Sequence, residues 1–275
     1  MQNFQGLAEI QCFLLDMDGT FYLGDQLLPG ANSFLQLLDQ RGTSYLFLTN
    51  NSSKSAKEYA DKLLGFGLQV TEDKIFTSGE ATCIYLRKTI PDANVFLMGT
   101  KALEDEFLRQ GIRLNRGKAD VAVLGFDTGL TYAKLWKFCD LVRTGIPYIA
   151  THADFNCPTE NGFMPDVGSM MALITASTGR QPDVVIGKPN QPIVDTIAEK
   201  IGLPLGKIAM VGDRLYTDIA LGQTGIKTVL VLSGETNLEE AQKSEFQADW
   251  VVQDIAEFGR VISKLTTTAE NPAIS

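Results

Sequence analysis

Residues 11–20 read Gln11-Cys12-Phe13-Leu14-Leu15-Asp16-Met17-Asp18-Gly19-Thr20. A short apolar run, Cys12 to Leu15, stops at two carboxylates one residue apart, and Gly19 and Thr20 follow. An apolar run of this length before Asp-Gly reads as a buried strand that surfaces into a turn. In open α/β sheets, ligands bind just beyond the carboxyl ends of the strands. Asp16 and Asp18 therefore leave the core where chemistry can take place. Asp and Gly are also ordinary turn residues, so this stretch alone leaves a plain acidic turn equally open.

Outward from it, strand and helix patterns alternate. Apolar runs at 12–15, 45–49, 94–98, 121–125, 146–150, 183–186, 207–211, 227–232 and 249–252 read as strands. Residues 55–66 and 131–143 carry apolar positions at helical spacing, Ala56, Tyr59, Ala60, Leu63 and Leu64 in the first. Near-continuous apolar strands alternating with helices predict an α/β fold with a doubly wound, Rossmann-like parallel sheet. Four strands end in Asp16, Thr49-Asn50, Lys188 and Asp213. In one parallel sheet those ends would converge on one edge. The stretch between the second and third ends has strand and helix patterns of its own. It predicts an inserted smaller α/β cap domain over 81–182, with residues 1–80 and 183–275 forming the core. An insertion there would hang over the same edge and could act as a lid. The tail from Thr266 to Ser275 is small and polar and reads as frayed.

Composition narrows the function. The chain has 275 residues, is 44% apolar and carries a formal charge of -9, which argues against a nucleic-acid partner. An anionic substrate would then need local positive charge from a metal or a Lys. No apolar run is long enough to span a membrane, and the N-terminus has no secretory pattern, so the expectation is a cytoplasmic protein. Cys12, Cys83, Cys139 and Cys157 are scattered and read as reduced thiols.

The order Asp16-x-Asp18-Gly19-Thr20, Thr49-Asn50, Lys188, Gly212-Asp213 and Asp218 resembles the haloacid dehalogenase superfamily, with all four motifs in sequence across residues 11–218. The insertion resembles the type IIA cap of the NagD-like, 4-nitrophenylphosphatase-like branch, which includes sugar-phosphate and nucleotide phosphatases. Asn161-Gly162-Phe163-Met164-Pro165-Asp166 and Gly187-Lys188-Pro189 also resemble that branch.

The chemistry can be argued from charge. A phosphate ester and a carboxylate nucleophile repel by about 4 kcal/mol per close pair at an effective dielectric near 20. A divalent cation and a Lys would remove that cost. Carboxylate oxygens suit Mg²⁺, and Asp16 with Asp213 is the natural ligand pair. The resemblance adds the backbone carbonyl of Asp18. It implies that Asp16 is a nucleophile forming an aspartyl-phosphate. It makes Asp18 the general acid and then the base, a role that a carboxylate neighbour favours by raising the pKa. Thr49 and Asn50 would donate to phosphoryl oxygens, and Lys188 would offset their charge. Asp218 reads as a group orienting a metal-bound water or Lys188. Gly19 would let the backbone pass close to the phosphate. His152, Asp154 and Asn156 are candidates for substrate specificity.

Each feature has a plainer reading. Lys188 could be a loop lysine, Thr49 to Ser53 a helix cap, and Asp213 with Asp218 a cap and first-turn acid. His152 could belong to a capped polar loop. Gly187-Lys188 is not a P-loop, because Pro182 and Pro189 occupy defining positions. The conjunction predicts a Mg²⁺-dependent phosphatase for a small phosphorylated metabolite such as a sugar phosphate or nucleoside monophosphate. The alternative is a phospho-accepting signalling module without turnover. The insert could also present an edge strand for pairing two copies as a homodimer.

Overall fold

The computed structural model describes residue 4 and residues 6–115, 117–159 and 162–269. Asn161 of the motif above and the end of the tail, 270–275, lie outside the described residues. The stretch 266–269, read as frayed, continues the last helix, Ile255–Ala269. The described chain divides into two compact units. The first takes in the chain up to Leu48, Ala60–Ile75 and everything from Ile201, and the second Thr49–Tyr59 and Phe76–Lys200.

A six-stranded sheet organises the first unit, in the order Trp250–Val252, Lys227–Val231, Ile208–Gly212, Cys12–Leu15, Ser44–Thr49, Ile75–Thr77. Cys12–Leu15 pairs in parallel with Ile208–Gly212 on one side and Ser44–Thr49 on the other. The chain thus winds outward in both directions from its first strand, and the switch point lies at the carboxyl end of that strand. All four residues of Cys12–Leu15 are buried, as a central strand covered on both faces requires. Phe13 meets Phe258 and Phe34 edge-on, with ring centroids 5.5 and 6.4 Å apart. These aromatics fasten the helices Ala31–Arg41 and Ile255–Ala269 to one face.

The second unit has its own five-stranded sheet, ordered Val184–Val185, Tyr148–Ala150, Val121–Leu124, Asn94–Met98, Arg113–Leu114, with parallel pairing throughout. Phe96, Met98, Phe138, Tyr148, Val167 and Ile174 form its core. Both edge strands are two residues long, which blunts the edge expected to pair with another copy.

One expectation about the sheets is corrected. Val184–Val185, the strand before Lys188, pairs with Tyr148–Ala150 and not within the six-stranded sheet. Three of the four motif-bearing strands share a sheet, and the fourth does not. Its two residues are too few for sequence patterning to say which sheet it joins.

Glu106 on the helix Lys101–Arg109 is buried, with the Thr77 hydroxyl 3.4 Å from both carboxylate oxygens. Burial, then the Glu80 charge, pushes its pKa from 4.5 up to about 7. Between those values the native state holds a proton that the unfolded chain has lost, so stability falls as pH rises through that window. Glu106→Gln should therefore stabilise the protein by about 1–3 kcal/mol near pH 8 and flatten the decline between about pH 5 and 7. Thermal melts of both proteins across pH check this; parallel curves would contradict it.

Candidate active site

Register places the acids. Leu15 lies opposite Val211, and Asp16 N–H donates to the Val211 carbonyl at 2.9 Å. Asp16 and Asp213 therefore emerge side by side from adjacent strands. Asp218 follows on a single wide helical turn, Leu215–Ile219, and its Oδ2 accepts from the Arg214 N–H at 3.1 Å. That bond explains why Asp218 is fully buried one turn on from Asp213. Asp16, Asp213 and Asp218 each offer an oxygen, all within 4.8 Å of one another.

Asp213 is almost entirely buried. Its Oδ2 accepts from the Glu235 N–H at 2.6 Å, while Oδ1 has no hydrogen-bond partner among the described residues. Burial first, then the charges of Asp16 and Asp218, push its pKa from 3.8 to about 7. Two glycines hold it there. A Cβ on Gly19, whose φ is +81°, or on Gly234 would collide with the Asp213 carboxylate. The Ser233 hydroxyl donates to the Gly19 carbonyl at 2.7 Å and ties those two loops together.

Asp18 presents an exposed edge to solvent and takes a hydrogen bond from the Tyr22 hydroxyl, 3.2 Å to Oδ2. Protein packed around the carboxyl raises its pKa. The Lys62 charge and the Tyr22 bond oppose the rise, and the Asp16 charge adds to it. Lys62 Nζ sits 4.0 Å from the centroid of the Tyr22 ring, a cation–π contact that steadies the phenol from its other face.

The remaining motif residues belong to the second unit. Thr49 Oγ1 accepts from the Asn51 N–H at 3.1 Å, which leaves its O–H to donate. The helix Ala56–Gly65 is capped by Ser55 and Glu58, with Ser55 N–H donating to Glu58 Oε2 at 2.7 Å. Thr49 to Ser53 is therefore not needed as that cap. Asn50 Oδ1 accepts from Lys188 N–H at 2.7 Å, and its Nδ2 donates to the Lys188 carbonyl at 3.1 Å and to the Asp154 carboxylate at 3.1 and 3.2 Å. The carboxamide is fully engaged within the protein by these bonds.

His152 is likewise engaged within the protein. It is fully buried, with Nδ1 3.0 Å from Thr151 Oγ1 and Nε2 2.9 Å from Asp166 Oδ1. Asp166 in turn caps the helix Val167–Thr178. No ring nitrogen is left for a substrate. Asn156 is exposed at the start of a hairpin, Asn156–Thr159 with Gly162–Pro165. Tyr22, Lys62, Ser233 and Gly234 escaped sequence reasoning. Ser233-Gly234 could have been found, because it follows another strand of the same sheet, Lys227–Val231, at its carboxyl end.

Two groups of described residues could hold a cation: His152, Asp154 and Asp166, and, at the switch point of the six-stranded sheet, Asp16, Asp213 and Asp218. In the second group the donors are all carboxylate oxygens, the set that hard divalent ions prefer. The buried Oδ1 of Asp213, without a hydrogen-bond partner among the described residues, fits a ligand atom, and a bound cation would reverse the repulsion that raises its pKa.

Residues 13–113 match the model of haloacid dehalogenase-like hydrolases, and residues 185–258 that of a second group of HAD-like hydrolases. Together they cover well over half the chain. The chain belongs to the haloacid dehalogenase-like hydrolases. It is similar to a 5'-nucleotidase, YutF, of Bacillus subtilis, 38% identical over 82% of this chain and 89% of that one. An acid sugar phosphatase of Staphylococcus saprophyticus is 34% identical over 94% of this chain and all of its own length. Among solved structures, a 4-nitrophenylphosphatase from Thermotoga maritima superposes with TM-score 0.89 at 47% identity, covering 93% of this chain and 98% of that one. A glycerol phosphate phosphatase from Mycobacterium tuberculosis, solved with magnesium, gives TM-score 0.83 at 30% identity over 92% and 78%. The protein is thus a hydrolase acting on phosphoric monoesters, of a metal-dependent family. No helix among the described residues is long and apolar enough to cross a membrane.

Gly234→Ala should push the Asp213 carboxylate aside and weaken divalent-cation affinity by about 10–100-fold, while the fold is retained. The rise in thermal midpoint on titration with Mg²⁺ reads that affinity. Equal midpoint shifts in the variant and the parent protein would contradict it.

Proposed function

We propose that this protein is a Mg²⁺-dependent phosphatase for small phosphorylated metabolites, sugar phosphates and nucleoside monophosphates among them, acting through an aspartyl-phosphate on Asp16. It would also hydrolyse 4-nitrophenyl phosphate. The observation that carries the reading is the group of three carboxylates at the switch point of the six-stranded sheet. The names of the relatives support the substrate classes.

Asp16 and Asp213, with the Asp18 carbonyl, would hold Mg²⁺, whose positive charge would let an anionic ester approach a carboxylate. An Asp16 oxygen attacks phosphorus, and the ester P–O bond breaks. Asp18 gives its proton to the leaving oxygen, and the Tyr22 hydroxyl on Oδ2 leaves the other oxygen to carry that proton. Water then attacks phosphorus, Asp18 takes back a proton, and Asp16 is released with inorganic phosphate. Thr49 donates its O–H to the phosphoryl group, and Lys188 offsets its charge. Gly19 keeps the backbone close to the phosphate. Asp218 would orient a metal-bound water or Lys188, and its place among the acids supports that. Residues 81–182 would serve as the cap and 1–80 with 183–275 as the core, with Val184–Val185 adding an edge strand to the cap's sheet. A second sheet with its own core, between Asn94 and Val185, supports an insert of that kind. Exposed Asn156 is the candidate for touching the non-phosphate part of the substrate.

Asp16→Asn should reduce turnover of 4-nitrophenyl phosphate at least ~10⁴-fold with an unchanged circular dichroism spectrum. Retained turnover would remove Asp16 as nucleophile. Asp18→Asn should slow an alkyl phosphate at least ~10-fold more than 4-nitrophenyl phosphate, because only the poor leaving group needs the proton. Equal losses would show that Asp18 is not the acid.

A further inference from the structure

The commitment of Asn50 has a chemical consequence. Its side-chain amide pairs with the backbone of Lys188 as a strand residue would, accepting from N–H and donating to C=O at 2.7 and 3.1 Å. An amide can be turned over, which would set N–H against N–H and O against O. The Asp154 carboxylate adds a second restraint against this. It accepts from Nδ2 at 3.1 and 3.2 Å, so the nitrogen must face Asp154 and the oxygen must face Lys188 N–H. From its other end, Asn50 is held by the Ser78 hydroxyl, which donates to the Asn50 carbonyl at 2.5 Å. Gly187 completes the fit: a Cβ there would lie 2.5 Å from Asn50 Oδ1 and 2.7 Å from His152 Cβ. Buried His152, fastened to Asp166, is thus the back wall against which the Gly187-Lys188 backbone rests.

We infer that Asn50 and Asp154 are positioning residues for Lys188: Asp154 fixes the orientation of the Asn50 amide, and the amide fixes the Lys188 backbone from which the ammonium reaches the phosphoryl group. This rests on the proposed role of Lys188. It assigns Asp154 to a neighbouring side chain rather than to substrate specificity. The lysine backbone is buried and hydrogen-bonded on both polar atoms, so its displacement would move the charge by a fixed amount for every substrate. Loss of positioning should therefore fall on kcat and be alike for substrates of different shape, whereas a substrate contact would alter KM selectively.

The test is a double-mutant cycle on the full chain, read as kcat for 4-nitrophenyl phosphate and for glycerol phosphate, with Mg²⁺ present. Asn50→Ala should lower kcat at least ~30-fold, and Asp154→Ala ~5–10-fold, in the parent protein. In a Lys188→Ala background, either change should cost less than ~3-fold, since residues acting through one group are not additive. Asp154→Asn, which keeps an acceptor for Nδ2, should stay within ~3-fold of the parent protein. Should Asn50→Ala fail to fold, the half-buried Asp154 variants carry the cycle alone. Losses of equal size in both backgrounds would overturn the proposal while leaving the role of Lys188 intact. Unchanged turnover in Lys188→Ala itself would instead remove that role, and this proposal with it.

Discussion

Three carboxylates crowd within 4.8 Å of one another at the ends of two adjacent central strands. Like charges this close, two of them buried, oppose folding unless a proton or a cation separates them. The first unit is built around enforcing that crowding. Parallel register sets Asp16 beside Asp213, and a backbone N–H on a wide turn holds Asp218 inward. Gly19 and Gly234 leave room for no more than the Asp213 side chain. A protonated Asp213, with its pKa near 7, and a cation-bound one are two ways of relieving the same repulsion. The proposed chemistry uses the second, because the cation that relieves the acids also attracts the phosphate.

The second unit uses hydrogen bonds where the first uses charge. Lys188 is nearly buried, and both polar atoms of its backbone are paired with one side-chain amide. Each member of the chain from Asp166 through His152, and from Asp154 through Asn50, has its polar atoms satisfied by the next. A satisfied buried network of this kind rigidifies what it surrounds. A rigid cation costs less reorganisation when charge develops on a phosphoryl group.

Much of this was legible in the sequence, for reasons that can be named. Cys12–Leu15 and Ile208–Gly212 are wholly buried strands, and continuous apolar runs ending in Asp announce them. Asp16, Asp18, Thr49, Lys188 and Asp213 stand out because polar residues at strand ends are unusual in a core. Val184–Val185 could not be assigned to a sheet, since pairing partners are tertiary and two residues carry no period. An amide beside a phosphate motif, Asn50, invites a ligand role, and only geometry shows its bonds to Lys188 and Asp154. His152 was ambiguous for the same reason: burial and the partner Asp166, fourteen residues away, are not encoded locally. Tyr22 sits in the motif's own hairpin, but its bond to Asp18 depends on a turn that the sequence does not specify.

The account turns on Asp16 as the atom that receives the phosphoryl group. It is tested most directly by acid-quenching Asp18→Asn protein with 4-nitrophenyl phosphate labelled at phosphorus, in the presence of Mg²⁺. This leaving group needs no proton, so the intermediate should form, and without a base its hydrolysis should lag. The account predicts label on the peptide containing Asp16, released by hydroxylamine as an acyl phosphate is. Release of 4-nitrophenol in excess of enzyme with no label on that peptide would contradict it.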